Sequence, residues 1–145
     1  MNVRCVDASV AVKWVLVDEE HSERALGLLA DSTVLGERLI APPLVQAEVT
    51  NIIRRAMLED GLDLPDATAL LRRFLAFPLR LSHRVDLLER ALVIADRFGL
   101  RASYDAQYLA LAEAEACDFW TDDRRLIRSL AGRLPYVRWI GDFTS

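Results

Sequence analysis

Apolar positions recur along the chain at two alternating periods, and their order predicts alternating strands and helices. Val3 to Val6 is a short apolar run of strand length, and Ala8 to Val15 takes up helical spacing directly after it. His21 to Ala30 sets Ala25, Leu28 and Leu29 on a helical face, and Leu39 to Ala41 is a short strand stopped by Pro42 and Pro43. From Leu44, the positions Val45, Val49, Ile52, Ile53, Ala56 and Met57 keep helical spacing, with Gly61 just past the end. Pro65 opens a helix running to about Leu75, and Leu79 to Leu81 forms a third strand. Leu87, Leu88, Ala91, Ile94 and Ala95 mark the next helix, followed by Gly99. Ser103 is the expected N-cap of a helix through Glu115. Phe119 to Thr121 reads as a strand, Arg124 to Leu130 as a short helix, and Tyr136 to Ile140 as a last strand ending at Gly141.

Strands that alternate with helices imply an α/β fold: a central, mostly parallel sheet flanked by helices on both faces, with right-handed crossovers. In such sheets ligands bind beyond the carboxyl ends of the strands. The 145 residues fit one domain, 1–145, with enough chain for a real core. The chain contains no repeat, no low-complexity tract and no linker.

Composition narrows the classes. Hydrophobic residues are 52% and charged residues 28%, a globular balance, yet no apolar stretch reaches the length of a membrane span. Arg4, Asp7 and Lys13 interrupt the apolar N-terminus, which argues against a secretory signal and for the cytoplasm. Cys5 and Cys117 form neither a disulfide framework nor a zinc set and read as small buried hydrophobes. The net charge of −4 weighs against indiscriminate nucleic-acid binding but not against acids concentrated at one site. Lys13 is the only lysine; with Arg124, Arg125 and Arg128 it is a candidate phosphate contact or an ordinary solvated face. His21 and His83 are isolated and read as surface or loop residues, without the partners of a nucleophilic triad. There is no glycine-rich phosphate loop.

The chemistry lies in acids placed where acids are costly. Asp7 ends the first strand, and Asp122 and Asp123 follow the Phe119 to Thr121 strand, so both sit at carboxyl ends of strands. Glu48 falls three residues after Val45 and four before Ile52, on an apolar helical face where a carboxylate needs a partner or a metal. Asp105 shares its helical side with Tyr108, Leu109 and Ala112, and lies in a first turn whose dipole favours an anion. Asp7 could instead cap the following helix, Glu48 could pair with an Arg, and one of Asp122 and Asp123 should cap the last short helix. Taken together the acids point to one pocket. Clustered carboxylates suit a hard cation such as Mg²⁺, with Mn²⁺ as a substitute, and such an ion can activate water against a phosphate. Ser9 and Thr121, near the strand ends, are placed to hydrogen-bond a metal-bound water or a phosphate.

Three stretches carry a family likeness. "VRCVDASVAVKWV", "APPLVQAEVTNIIRRA" and "SYDAQYLALAEAEACDFWTDDRRL" resemble, in order, the D-x-S start, the helix with the second acid, and the acid-opened helix followed by T-x-D of the PIN-domain nucleases, specifically VapC-type toxins. The resemblance implies a PIN-like three-layer sandwich and assigns Asp7, Glu48 and Asp105 to a metal site. It puts the fourth acid at Asp123, with Asp122 as a second-choice ligand or cap, and matches Ser9 and Thr121 to the family's supporting hydroxyls. It further implies Mg²⁺-dependent endoribonuclease activity, a cognate small antitoxin protein and a homodimer. Trp14, Leu70, Leu71 and Phe74 are candidates for the dimer and antitoxin surface, or ordinary core. Two other readings stand beside it. One is a non-catalytic PIN-like scaffold that binds RNA or protein. The other is an aspartate-based phosphotransferase, for which Ser9 replaces the second acid of a D-x-D start and Lys13 is the only lysine.

Overall fold

The computed structural model describes residues 2–145. Strand β1 (Val3–Val6) leads into a short helix α1 (Ala8–Ala11), which tightens to a 3-10 turn over Val12–Trp14 rather than continuing as one helix to Val15. Helix α2 (Ser22–Leu35) runs past the expected Ala30. Its polar last turns do not break it, because Ser32 is buried beside Arg4 and the Thr33 hydroxyl bonds back to the Leu29 carbonyl. Gly36, at φ 67°, closes it in the left-handed conformation that glycine adopts without a Cβ penalty. Then follow β2 (Arg38–Ala41), α3 (Leu44–Asp60), α4 (Leu64–Ala76), β3 (Leu79–Leu81), α5 (Leu87–Phe98), α6 (Tyr104–Ala114), β4 (Phe119–Thr121), α7 (Arg124–Leu130) and β5 (Val137–Trp139). The last strand is shorter than Tyr136 to Ile140, since Ile140 already starts a 3-10 turn through Gly141. Ser103 precedes α6 but makes no side-chain cap bond.

All pairings are parallel, in the order β3-β2-β1-β4-β5. The chain winds outward from β1 to β3 and then returns to lay β4 on the other side of β1. The winding direction reverses between β1 and β4, and at such a switch point the strand ends part into a ligand crevice. Cys5 pairs with Phe119 and Val6 with Trp120, and the Asp7 amide donates to the Trp120 carbonyl at 2.9 Å. The two acid-bearing strand ends are therefore neighbours.

Successive side chains of β1 face opposite layers. Arg4 meets α2 through Asp31 at 3.0 Å, while the Cys5 thiol lies against the Tyr108 carbonyl of α6. Helix α5 packs on α6, and α4 on α3. This is the expected three-layer arrangement. Trp14 and Phe74 are buried core residues, 1% and 3% exposed, so neither supplies a docking surface; Leu70 and Leu71 are partly buried against the core. Cys5 is buried as expected, and Cys117 is half-buried. Among the described residues no helix is long and apolar enough to cross a membrane.

Candidate active site

At the switch point Asp7 is 5% exposed, and its Oδ2 accepts two hydrogen bonds, from the Ser9 hydroxyl at 2.8 Å and the Thr121 hydroxyl at 2.7 Å. Those hydroxyls in turn accept backbone amides at the β4 end: Asp122 N–H to Ser9 Oγ across the two strand ends at 2.9 Å, and Asp123 N–H to Thr121 Oγ1 at 3.0 Å. Ser9 and Thr121 donate their protons to Asp7 and so tie the β1 and β4 ends together.

Burial raises the Asp7 carboxyl above its ordinary range; the Thr121 and Ser9 bonds pull it partly back, and the Asp123 charge adds to the rise. Glu48 projects from the first turns of α3, half-buried, and its Oε1 accepts the Tyr108 hydroxyl at 2.6 Å. Tyr108 is fully buried and stacks on Phe119, with ring centroids 5.3 Å apart. Burial pushes Glu48 up to about 7; the Tyr108 bond opposes this, and the charges of Asp7, Asp105 and Asp123 reinforce it. Asp105, in the first turn of α6, is pushed up to about 6 by burial first and then by Asp7 and Asp123. Elements distant in sequence thus bring Asp7, Glu48, Asp105 and Asp123 within each other's fields, with no cation among the charges acting on the first three.

The neighbouring pair divides its work. Asp123 Oδ1 accepts the Leu126 amide at 3.1 Å, capping α7, and its charge reaches the other acids. Asp122 turns to Lys13, whose Nζ lies 3.2 Å from Oδ2, and to Trp139, whose indole N–H donates to Oδ1 at 2.8 Å. Lys13 is 7% exposed and paired, so it belongs to no solvated basic face. Arg124 is also engaged, 3.2 Å from Glu20 and stacked 5.0 Å above the Trp139 ring, whereas Arg125 and Arg128 are exposed. His83 is exposed as expected. His21 lies in the turn before α2, as expected of a loop residue, at φ 66° with its ring edge-on to Trp139 at 5.2 Å. The Tyr108–Glu48 bond and the Lys13–Asp122 pair were not read from the sequence. Their signals were a tyrosine on the Asp105 stripe and a lone lysine inside an apolar run.

Among the described residues, no three His, Cys, Asp or Glu side chains are drawn together closely enough to hold a metal ion directly. The donor set still fits a hard divalent cation. It is all carboxylate oxygen, its mutual repulsion is uncompensated, and Mg²⁺ characteristically keeps several waters between itself and protein oxygens. An apolar hollow of about 210 Å³, walled in part by Pro42, Leu87, Gln107 and Leu111, holds none of the four acids. The chemistry is assigned to the acids because they are the carboxylates gathered at the strand-end crevice, three of them with burial raising their ionisation.

The Tyr108 bond has a direct consequence. Tyr108→Phe removes the one contact that favours the charged form of Glu48, so the Glu48 titration followed by carboxyl-carbon NMR moves upward from about 7. An unmoved midpoint would show that the bond does not act on Glu48.

A model of the PIN domain family matches residues 4–132. Over 121 residues the chain is 36% identical to VapC ribonuclease Mb0985 of Mycobacterium bovis, a match covering 83% of this chain and 86% of that one. Ribonuclease VapC9 of Mycobacterium tuberculosis matches to the same extent. Among solved structures, Mycobacterium tuberculosis VapC20, a sarcin-ricin loop cleaving toxin, superposes with TM-score 0.66 at 18% identity over 87% of this chain and 94% of its own. VapBC2 from Rickettsia felis, bound to a promoter DNA fragment, does so with TM-score 0.59 at 15% identity, over 94% and 96%.

Proposed function

This chain belongs to the PIN-domain family, and from that premise we propose that it is a divalent-metal-dependent endoribonuclease, the toxin of a toxin–antitoxin pair. The observation that carries the chemistry is the convergence of Asp7, Glu48, Asp105 and Asp123 at the switch point, with no cation among the charges acting on the first three. The 36% identity to named VapC ribonucleases supports RNA as the substrate.

In this reading the four acids would hold Mg²⁺, with Mn²⁺ as substitute, and the bound ion would supply a lowered water pKa and charge neutralisation at the phosphate. The chain's own residues supply position and proton handling. Ser9 and Thr121 fix Asp7, and Tyr108 fixes one oxygen of Glu48. In the cation-free protein burial raises Glu48 to about 7, so a proton competes with the cation there near neutral pH. The single domain 1–145, a cytoplasmic setting, a cognate small antitoxin and a homodimer belong to the same proposal. The phosphotransferase alternative loses its only lysine to Asp122.

The test is incubation of end-labelled RNA with the purified protein in Mg²⁺ or chelator, with the new ends sequenced. Internal cuts that appear with Mg²⁺ or Mn²⁺ and vanish in chelator are expected. Equal cutting in chelator would overturn the metal reading, and no cutting with either ion would leave the scaffold reading in its place.

The same electrostatics give a second expected result. Glu48 and Asp105 have folded-state values above their ordinary ones, so the cation-free folded protein binds protons more tightly than the unfolded chain. The stability this contributes is fully present below about 4 and is lost as pH rises through about 6 to 7. Melts of cation-free protein should therefore show Tm falling across that window. Mg²⁺ should raise Tm above about pH 7 and lose its effect near pH 5, where protons occupy the same oxygens. A Tm that climbs through the window without cation would contradict the assignment.

A further inference from the structure

We propose that Lys13 decides which of the two adjacent acids after β4 serves the cation site: it ties Asp122 down and leaves Asp123 to face Asp7, Glu48 and Asp105. The inference rests on the cation reading given above.

Asp122 and Asp123 are adjacent carboxylates just past β4, their amides held by the Ser9 and Thr121 hydroxyls, so side-chain contacts decide which of them serves the site. The structure sets the two apart from behind. Lys13 lies in the 3-10 turn after α1, inside an apolar segment, with its Nζ 3.2 Å from Asp122 Oδ2. The side chains of the pair are only 9% and 13% exposed. Bringing two charges out of water is costly, so such a pair is a poor source of stability and a good means of fixing one arrangement. The second oxygen of Asp122 takes the Trp139 indole N–H at 2.8 Å. Trp139 cannot easily yield, because its ring lies so close over Gly141 that a Cβ there would stand 2.5 Å from it, with His21 against its edge and Arg124 above it. Both Asp122 oxygens are thus committed to the brace. Asp123 commits one oxygen to the Leu126 amide, and its charge is felt at the other three acids, whereas that of Asp122 is not among the charges acting on them.

The expected behaviour is a suppression that an ordinary structural ion pair would not produce. Mn²⁺ binding to the full chain is measured by calorimetry, independently of cleavage. Asp123→Asn should weaken Mn²⁺ by about tenfold or more, the usual cost of disturbing a metal's immediate surroundings. Adding Lys13→Met to that variant should free Asp122 to replace the lost carboxylate and recover most of the affinity. Lys13→Gln, which removes the charge but keeps a polar group in case methionine impairs folding, should recover it too. Lys13→Arg, which keeps the charge, should not. A further Asp122→Asn should cancel the recovery. If the doubly substituted proteins melt cooperatively yet bind Mn²⁺ no better than Asp123→Asn alone, Lys13 is only a structural partner and the inference fails by itself. If the wild-type protein binds no Mn²⁺, the cation reading fails and takes the inference with it.

Discussion

Asp7→Asn is expected to lower RNA cleavage by about three orders of magnitude, on the scale of losing a metal ligand or a positioned acid–base group, while the protein stays folded. The two hydroxyls that donate to Asp7 Oδ2 can still donate to an amide oxygen, so the tie between the β1 and β4 ends survives. What disappears is the negative charge at the centre of the cluster. The amide also puts an N–H₂ donor in place of one carboxylate oxygen of the cluster. Because burial raises the Asp7 carboxyl, its ionised form is a burden on the cation-free fold at neutral pH. The Asp7→Asn protein should therefore melt at or above the wild-type temperature without cation and lose the Mg²⁺-dependent gain. Cleavage assays beside melts with and without Mg²⁺ check both halves; near-wild-type cleavage would remove Asp7 from the site.

Trp14→Ala should cost the fold about 3–5 kcal/mol, the range for emptying a large aromatic from a packed core. At a few degrees per kcal/mol for a chain of this size, Tm falls by roughly 10 °C. The ring is 1% exposed and lies 5.5 Å from Phe77, and its indole N–H donates to the Ala25 carbonyl of α2 at 3.0 Å. The substitution thus loses packing between the turn after α1 and two other elements, and a hydrogen bond besides. Denaturant unfolding measures the loss, and sedimentation distinguishes the alternative. An unchanged midpoint with a changed association state would mean that Trp14 works at an interface after all.

That contrast shows what the sequence could reveal. Hydrophobic spacing gives the elements, because a helix or strand records its buried face locally. It likewise exposes acids on apolar stripes, which is how Glu48 and Asp105 stand out. It gives no strand order, since nothing local records that β4 lies beside β1; the meeting of Asp7 with Asp123 came from motif resemblance and the strand-end rule. Trp14 was ambiguous for the same reason, as an apolar residue looks alike in a core and at an interface. Polar residues mislead where tertiary contacts satisfy them: the apolar spacing ends α2 at Ala30, yet Ser32 and Thr33 lie inside it, and Lys13 reads as a surface charge yet is buried on Asp122. Ser9 and Thr121 were found, but their protons point to Asp7 and not outward, a direction only coordinates supply.

The placement of β4 beside β1 also bears on synthesis. The hydroxyl of Thr121 reaches Asp7 across 114 positions of sequence, and at about 5–20 residues per second a ribosome needs several seconds or more to make that span. Until then the growing chain holds Asp7 with neither its Thr121 partner nor Asp123. A product that stops before Phe119 has no strand to close the crevice. Any activity that needs the joined β1 and β4 ends therefore waits until β4 has been made.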